Sequence, residues 1–412
     1  MRAKEFLREF EVADEDLEWL AAHSTSRLKH AITRAFKTQH DAEKSHKATA
    51  AAKRDVEHAE KPPELRKKKD PRLAQPIDEE YDYDDAKFFS QLKQMQSDDR
   101  AAFDKVMAKV WSHAISERTN KLFDEKDLPS EANQHFDNII IDAHGSFVDK
   151  LKFLDKLVKH GILSASSIFK GGLGNFNNIL EYDDPIYQDI KNPIMNWAPK
   201  IGSNPAGKGE MFVILFTNGA KKAAVGDVQV GDITAEVKSY DARLVGHKGY
   251  GSTIGTFKEY LIKLQALVPD RELSDDPNYY NWNYKGLTEL SRIFQEAVKS
   301  GHGNKIKPLL DWTLHSLYVS STPEQRDRIV DVISSDGSFD VNEFIRQWML
   351  FQFDYYKMIE HFTGILFVNP TTLDYLYVSD TDEFDSNYDK FYIKPSFSWK
   401  DKQSIVIKIS LL

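Results

Sequence analysis

Asp227, Glu236 and Lys238 are the residues whose types and spacing could do chemistry together. They lie in the stretch Gly226-Asp227-Val228-Gln229-Val230-Gly231-Asp232-Ile233-Thr234-Ala235-Glu236-Val237-Lys238-Ser239. Gly231-Asp232 between two alternating runs signals a two-residue hairpin, with glycine at the first turn position suiting a type II′ turn. That turn pairs Val230 with Ile233, Gln229 with Thr234, Val228 with Ala235 and Asp227 with Glu236. Side chains alternate along a strand, so Val228, Val230, Ile233, Ala235 and Val237 share an apolar face, and Asp227, Gln229, Thr234, Glu236 and Lys238 share a polar one. Two carboxylates directly opposite, with Cβ atoms about 5 Å apart, repel each other. A divalent cation reverses the sign of that interaction, and two carboxylates plus waters suit Mg²⁺. Lys238, two residues past Glu236, reaches the same spot. Such a set suits phosphodiester hydrolysis: the metal stabilises developing charge and acidifies a bound water, and the lysine orients that water or neutralises the phosphate. Asp232 is a competing aspartate, but it sits in the turn and points away from Glu236. The bland alternative is an ordinary amphipathic hairpin with a solvated polar face.

The arrangement Asp-x8-Glu-x-Lys on a hairpin resembles the signature of the PD-(D/E)XK nuclease superfamily. The resemblance implies a restriction-endonuclease-like αβββαβ core and a DNA nuclease dependent on Mg²⁺ or Mn²⁺. Asp227 and Glu236 would be its metal ligands, the Val237 carbonyl a third contact and Lys238 the catalytic lysine. Many members add a glutamate on the helix before the hairpin, and Glu210 in Gly209-Glu210-Met211-Phe212 is the candidate. Asp227 follows Gly226 where the family pattern has proline. The segment Gly207–Gly246 is similar to nuclease-like proteins encoded by tailed bacteriophages, which implies a bacterial cytoplasm or a phage particle as location. A non-enzymatic phage structural or adaptor protein retaining this fold is the alternative. Lys221, Lys222, Arg243, His247 and Lys248 surround the hairpin and are candidates for DNA phosphate contacts, which would give affinity and position. As surface charges they are equally compatible with solubility.

Several elements must position these residues. Met211–Phe216 is apolar on every face and fits either helix or strand. Helical spacing marks 255–268, 286–300, 306–318, 323–333 and 340–362, the last with a stripe of Phe344, Trp348, Phe351, Tyr355, Ile359 and Phe362. Strand character marks 227–240, Ile365–Asn369, Tyr375–Ser379, Phe391–Ile393 and Ser404–Leu411. Residues 171–207, rich in glycine and proline, read as loop. The chain therefore divides into a helical segment over 1–60, a charged proline-containing linker over 61–87, a helical region over 88–200, and a nuclease-like core over 201–412 with a helical insertion at about 270–345. The fold class is α/β (α+β): a mixed-sheet core with a large helical N-terminal region and a helical insertion.

Composition sets the outer bounds. The 412 residues include no cysteine, which removes disulfides, thiolate metal sites and thiol catalysis together. Net charge is −9, so a nucleic-acid contact must be a local patch or depend on a cation. The longest dense apolar stretch, Met211–Phe216, falls far short of the roughly 18 residues of a membrane helix. The N-terminus has the early charges Arg2, Lys4 and Glu5 and no apolar h-region, which does not suit a signal peptide. No membrane is expected as a partner. Partners are DNA and, through the polar N-terminal helices, another protein or a second copy. Asp336–Glu343 resembles the end of an EF-hand loop without its opening aspartate, and reads as a helix–turn–helix junction. Gly171-Gly172-Leu173-Gly174-Asn175 lacks the lysine and hydroxyl of a phosphate-binding loop and reads as loop.

Overall fold

The computed structural model describes residues 100–412 apart from 202–203, 245–249 and 401–406, with a few scattered positions before residue 100. But for those few positions, the helix expected over 5–60 and the linker expected over 61–87 lie outside the described residues. The chain divides into two compact units, Met1–Lys121 with Asn133–Asp155, and Leu122–Ala132 with Lys156–Leu412.

The first unit carries most of α1 (Arg100–Glu125), α2 (Asn133–Asp142) and most of α3 (Phe147–His160). Phe103, Met107, Val110, Trp111 and Ala114 recur at helical spacing on α1 and are buried, with Trp111 stacked on Phe147 at 4.9 Å. Several polar groups inside this unit are matched, although the buried Trp111 Nε1 and Asn133 Oδ1 are not. Asp137 accepts from Ser116 Oγ at 2.6 Å and Thr119 Oγ1 at 2.5 Å, and Arg118 pairs with Asp155 at 2.8 Å.

The second unit holds α4 (Ala165–Ile168), β1 (Gly172–Asn175), α5 (Pro185–Met195), β2 (Lys200–Ile201), β3 (Asn204–Pro205) and α6 (Glu210–Phe216). Then come β4 (Ala220–Lys222), β5 (Val228–Val230), β6 (Ile233–Lys238) and β7 (Ala242–Arg243). The helical run follows, with α7 (Thr253–Gln265), α8 (Tyr284–Lys299), α9 (Ile306–Leu317), α10 (Pro323–Val330) and α11 (Val341–Glu360). The chain closes with β8 (Gly364–Val368), β9 (Asp374–Val378), α12 (Thr381–Ser386), β10 (Phe391–Pro395) and β11 (Ile407–Leu411). Six strands form one sheet in the order β1-β9-β8-β6-β5-β4, and a second sheet has the order β10-β11-β7. In the large sheet only β6 and β8 run parallel, joined by the helical run. The mixed α/β class read from the sequence is therefore the observed one.

Local chemistry explains these elements. All five residues of β8 are buried, as a central strand covered on both faces requires. Ile365 and Phe367 join the core that includes Phe344, Trp348 and Phe353 of α11. Across the sheet, Val368 lies against Gly209 at the start of α6, and Phe212 meets Phe176, which stacks near Tyr375 of β9. Asp340 caps α11 by accepting from the Asn342 and Glu343 N–H groups, and Ser334 N–H donates to the Ser338 carbonyl just before it. The expected helix–turn–helix junction is thus present.

Two expectations of loop are corrected. Residues 185–195 form α5, because Asp184 supplies the N-cap and Pro185 occupies the first turn, where its missing N–H costs nothing. Gly172–Asn175 form the edge strand β1, paired with β9. Glycine is a packing requirement there, since a Cβ on Gly174 would stand 2.5 Å from the Tyr375 ring.

Candidate active site

The hairpin forms in the expected register, with Val230 opposite Ile233, Gln229 opposite Thr234 and Val228 opposite Ala235. Gly231 has φ 57°, while Asp232 stays outside the left-handed region, as a type II′ turn demands. Val228, Ala235 and Val237 are buried, so the apolar face points inward.

The expected pairing of Asp227 with Glu236 is corrected. Asp227 N–H donates to the Ala235 carbonyl at 2.9 Å, so Asp227 and Val228 both address Ala235, in the manner of a β-bulge. Gly226 makes this possible with φ 75° and no side chain. A Cβ there would meet the Ala235 carbonyl oxygen at 3.0 Å. Past the end of β5, Asp227 Oδ2 accepts from the Val237 N–H at 2.9 Å. The carboxylate thus occupies the place on the β6 edge that a strand carbonyl would take. Within a strand the N–H and C=O of one residue leave on the same edge, so the Val237 carbonyl also leaves β6 toward Asp227.

Glu236 and Lys238 share the opposite face from Val237 and meet α11. Lys238 Nζ donates to Glu236 Oε1 at 2.6 Å, and the Tyr356 hydroxyl donates to the same oxygen at 2.7 Å. The Lys238 ammonium also lies 5.3 Å from the centre of the Tyr356 ring. Burial and the adjacent Glu236 carboxylate push the Tyr356 phenol well above its ordinary value, so it stays a donor. Sequence reasoning missed Tyr356. Its position among Phe351, Phe353 and Tyr355 reads as apolar packing, and 120 residues separate it from its partner.

Glu210 approaches from the other side of the sheet. It is buried in the first turn of α6, where Gly209 caps the helix with φ 83°. Its Oε2 accepts from Gly207 N–H at 2.9 Å and its Oε1 from Lys222 Nζ at 3.1 Å. The apolar stretch Met211–Phe216 is therefore helix, and every one of its residues is buried. Beyond its C-terminus, Lys126 Nζ donates to the Thr217 carbonyl at 2.8 Å, and burial lowers that ammonium to about 8.

Asp227 lies electrostatically between the two clusters. Burial pushes its carboxyl up to about 7, with the Glu236 and Glu210 charges adding to the effect. The Val237 N–H and Lys238 oppose it without prevailing. Negative charge is thus in excess at this point. Asp227, Glu236, Lys238 and Glu210 act on one locus, although Glu210 and Glu236 reach it from opposite faces of the sheet. Among the described residues, no group of three or more histidine, aspartate or glutamate side chains closes on a metal-sized point.

The proposed phosphate contacts separate. Lys222 is engaged by Glu210. Lys221 is exposed, 3.5 Å from Asp127. Arg243 is exposed on β7. His247 and Lys248 lie outside the described residues. Among the described residues, no helix is long and apolar enough to cross a membrane. Comparison with protein-family models, curated proteins and solved structures finds no match for the chain.

Proposed function

We propose that the protein is a metal-dependent DNA nuclease of the PD-(D/E)XK type. The observation that carries this reading is a buried Asp227 bonded to the Val237 N–H, beside the Glu236–Lys238 pair, with the Glu236, Glu210 and Lys238 charges all acting on it. The element order supports it too: α6, β4, β5, β6, a helical run and β8 follow the αβββαβ sequence that the resemblance implies.

Mg²⁺ or Mn²⁺ fits the donors present. The bonds to the Val237 N–H, Lys238 and Tyr356 use Asp227 Oδ2 and Glu236 Oε1, and hard oxygen donors supplemented by water suit either cation. Asp227, Glu236 and the Val237 carbonyl would hold it. The bound cation would supply charge stabilisation and an acidified water. The chain's own residues do the rest. Lys238 holds a positive charge beside Glu236 that can meet a developing phosphate charge, and Tyr356 fixes Glu236 from behind. Glu210 adds negative charge to Asp227 while Lys222 and Gly207 hold it in place. On this reading the molecule acts in a bacterial cell or a phage particle.

Purified protein is incubated with plasmid and oligonucleotide DNA in Mg²⁺ or Mn²⁺, and in EDTA. Cleavage that needs the cation and falls by at least 100-fold in both Glu236→Ala and Lys238→Ala, about the size of one lost transition-state contact, is expected. Cleavage unchanged in both variants rejects Glu236 and Lys238 as its machinery, and cleavage absent from every substrate rejects the proposal in favour of a non-enzymatic adaptor.

A further inference from the structure

The small sheet β10-β11-β7 has one face in the core and one in solvent. Phe391, Ile409 and Leu411 point inward. On the outer face Lys394 pairs directly with Lys408, and Lys408 directly with Arg243. Three cations therefore stand side by side across three strands. Neighbouring strands are about 4.8 Å apart, so the row spans about 10 Å. Like charges directly opposite one another destabilise a sheet. Only a partial neutraliser is present among the described residues, Asp241 Oδ2 at 3.7 Å from Lys408 Nζ. In a chain of net charge −9 such a row is out of keeping with its surroundings.

Two exposed rings accompany it. Tyr392, two residues before Lys394 and so on the same face, is 55% exposed and pairs opposite Ser410. Ser410 Oγ accepts from the Asp241 N–H, which brings the preceding Tyr240 to the same end of the sheet. Tyr240 is 46% exposed, yet its hydroxyl is held by Asn369 Oδ1, so the ring is fixed while its surface remains open. Arg243 follows Lys238 by only five residues, which places the Arg243 end of the row within about 17 Å of the candidate site.

We infer that the outer face of β10-β11-β7 binds a single-stranded polynucleotide, with Lys394, Lys408 and Arg243 along its phosphates and Tyr392 stacking a base, Tyr240 lying at the end of the same sheet. Cations in a row answer a repeating anion, and fixed aromatic faces answer unpaired bases, which a duplex keeps stacked inside. The inference rests on the nuclease reading for the kind of polyanion and extends it to the substrate's strand state.

Binding of fluorescein-labelled oligothymidylate and of a duplex of equal length is measured by anisotropy in EDTA, where cleavage plays no part. Wild type is expected to prefer the single strand. Lys394→Ala combined with Arg243→Ala weakens it by about tenfold or more and lowers the salt slope by about 0.7 per lost phosphate contact. Tyr392→Ala weakens it by about tenfold, and Tyr392→Phe restores the affinity. Affinity unchanged in these variants overturns the inference while leaving metal-dependent cleavage to be judged separately. Binding lost in the variants from a protein that cleaves nothing supports the inference and rejects the nuclease. Equal affinity for duplex, or tighter binding of polyglutamate than of DNA, overturns it in favour of a duplex or an acidic protein partner.

Discussion

Asp227 carries an electrostatic signature at the candidate site whose sign can be followed into stability. Its folded-state value of about 7 exceeds the ordinary 3.8, so the folded protein keeps a proton that the unfolded chain has already released. The stability this proton confers is complete below about pH 4 and is lost as pH rises through about 7. Each pH unit in that window costs the metal-free fold up to about 1.4 kcal/mol. Asparagine keeps the shape and removes the charge. Asp227→Asn in EDTA is therefore expected to raise Tm relative to wild type more at pH 8 than at pH 4.5. Thermal melts at the two pH values check this, and an equal offset at both would mean that Asp227 is neither desolvated nor repelled as described.

At the scale of elements, the bend at Gly226 turns an ordinary hairpin into a site. A ladder continued without a bulge would leave Asp227 opposite Glu236, whereas φ 75° at Gly226 sends its carboxylate onto the Val237 N–H. Gly226→Ala places an L side chain in the left-handed region and against the Ala235 carbonyl. A loss of about 1–2 kcal/mol in stability is expected, together with loss of metal-dependent cleavage beyond what the stability change explains. Denaturant unfolding and cleavage assays on the same preparation test the pair of effects. Wild-type activity in a destabilised Gly226→Ala protein would separate the bend from the chemistry. The same elements show what sequence can disclose. Glu236 and Lys238 are legible because alternation alone puts residues two apart on one face, and Gly231-Asp232 sets the register through a turn that glycine permits. The bulge is not legible, since glycine before an aspartate is compatible with a straight ladder as well. Tyr356 is hidden for another reason. It reaches Glu236 only after the intervening helices α7 to α10 fold, and inside the apolar α11 its hydroxyl leaves no period. β1 escapes because Gly172 and Gly174 lack strand propensity, and Gly174 serves to make room for the Tyr375 ring.

Over the whole molecule, net charge and local charge pull in different directions. A chain at −9 gains from screening by any cation, so a rise in Tm on adding Mg²⁺ is not in itself a sign of a site. A specific site adds a second contribution by mass action. At a concentration about 100 times its dissociation constant, a ligand that binds only the folded state contributes about 2.7 kcal/mol. For a cooperative unit of this size that corresponds to a rise of roughly 5 °C. Screening acts equally on wild type and on Asp227→Asn, whose charges differ by one, whereas the site needs the carboxylate. Calorimetric melts in MgCl2, compared with NaCl at the same ionic strength, are expected to show this extra rise in wild type and to lose it in Asp227→Asn. The gain should shrink below about pH 7, because the cation must then displace the Asp227 proton before it can bind. An Mg²⁺ effect of equal size in both proteins would assign the stabilisation to the acidic surface as a whole and leave Asp227 and Glu236 as a buried, repelling pair without a cation to join them.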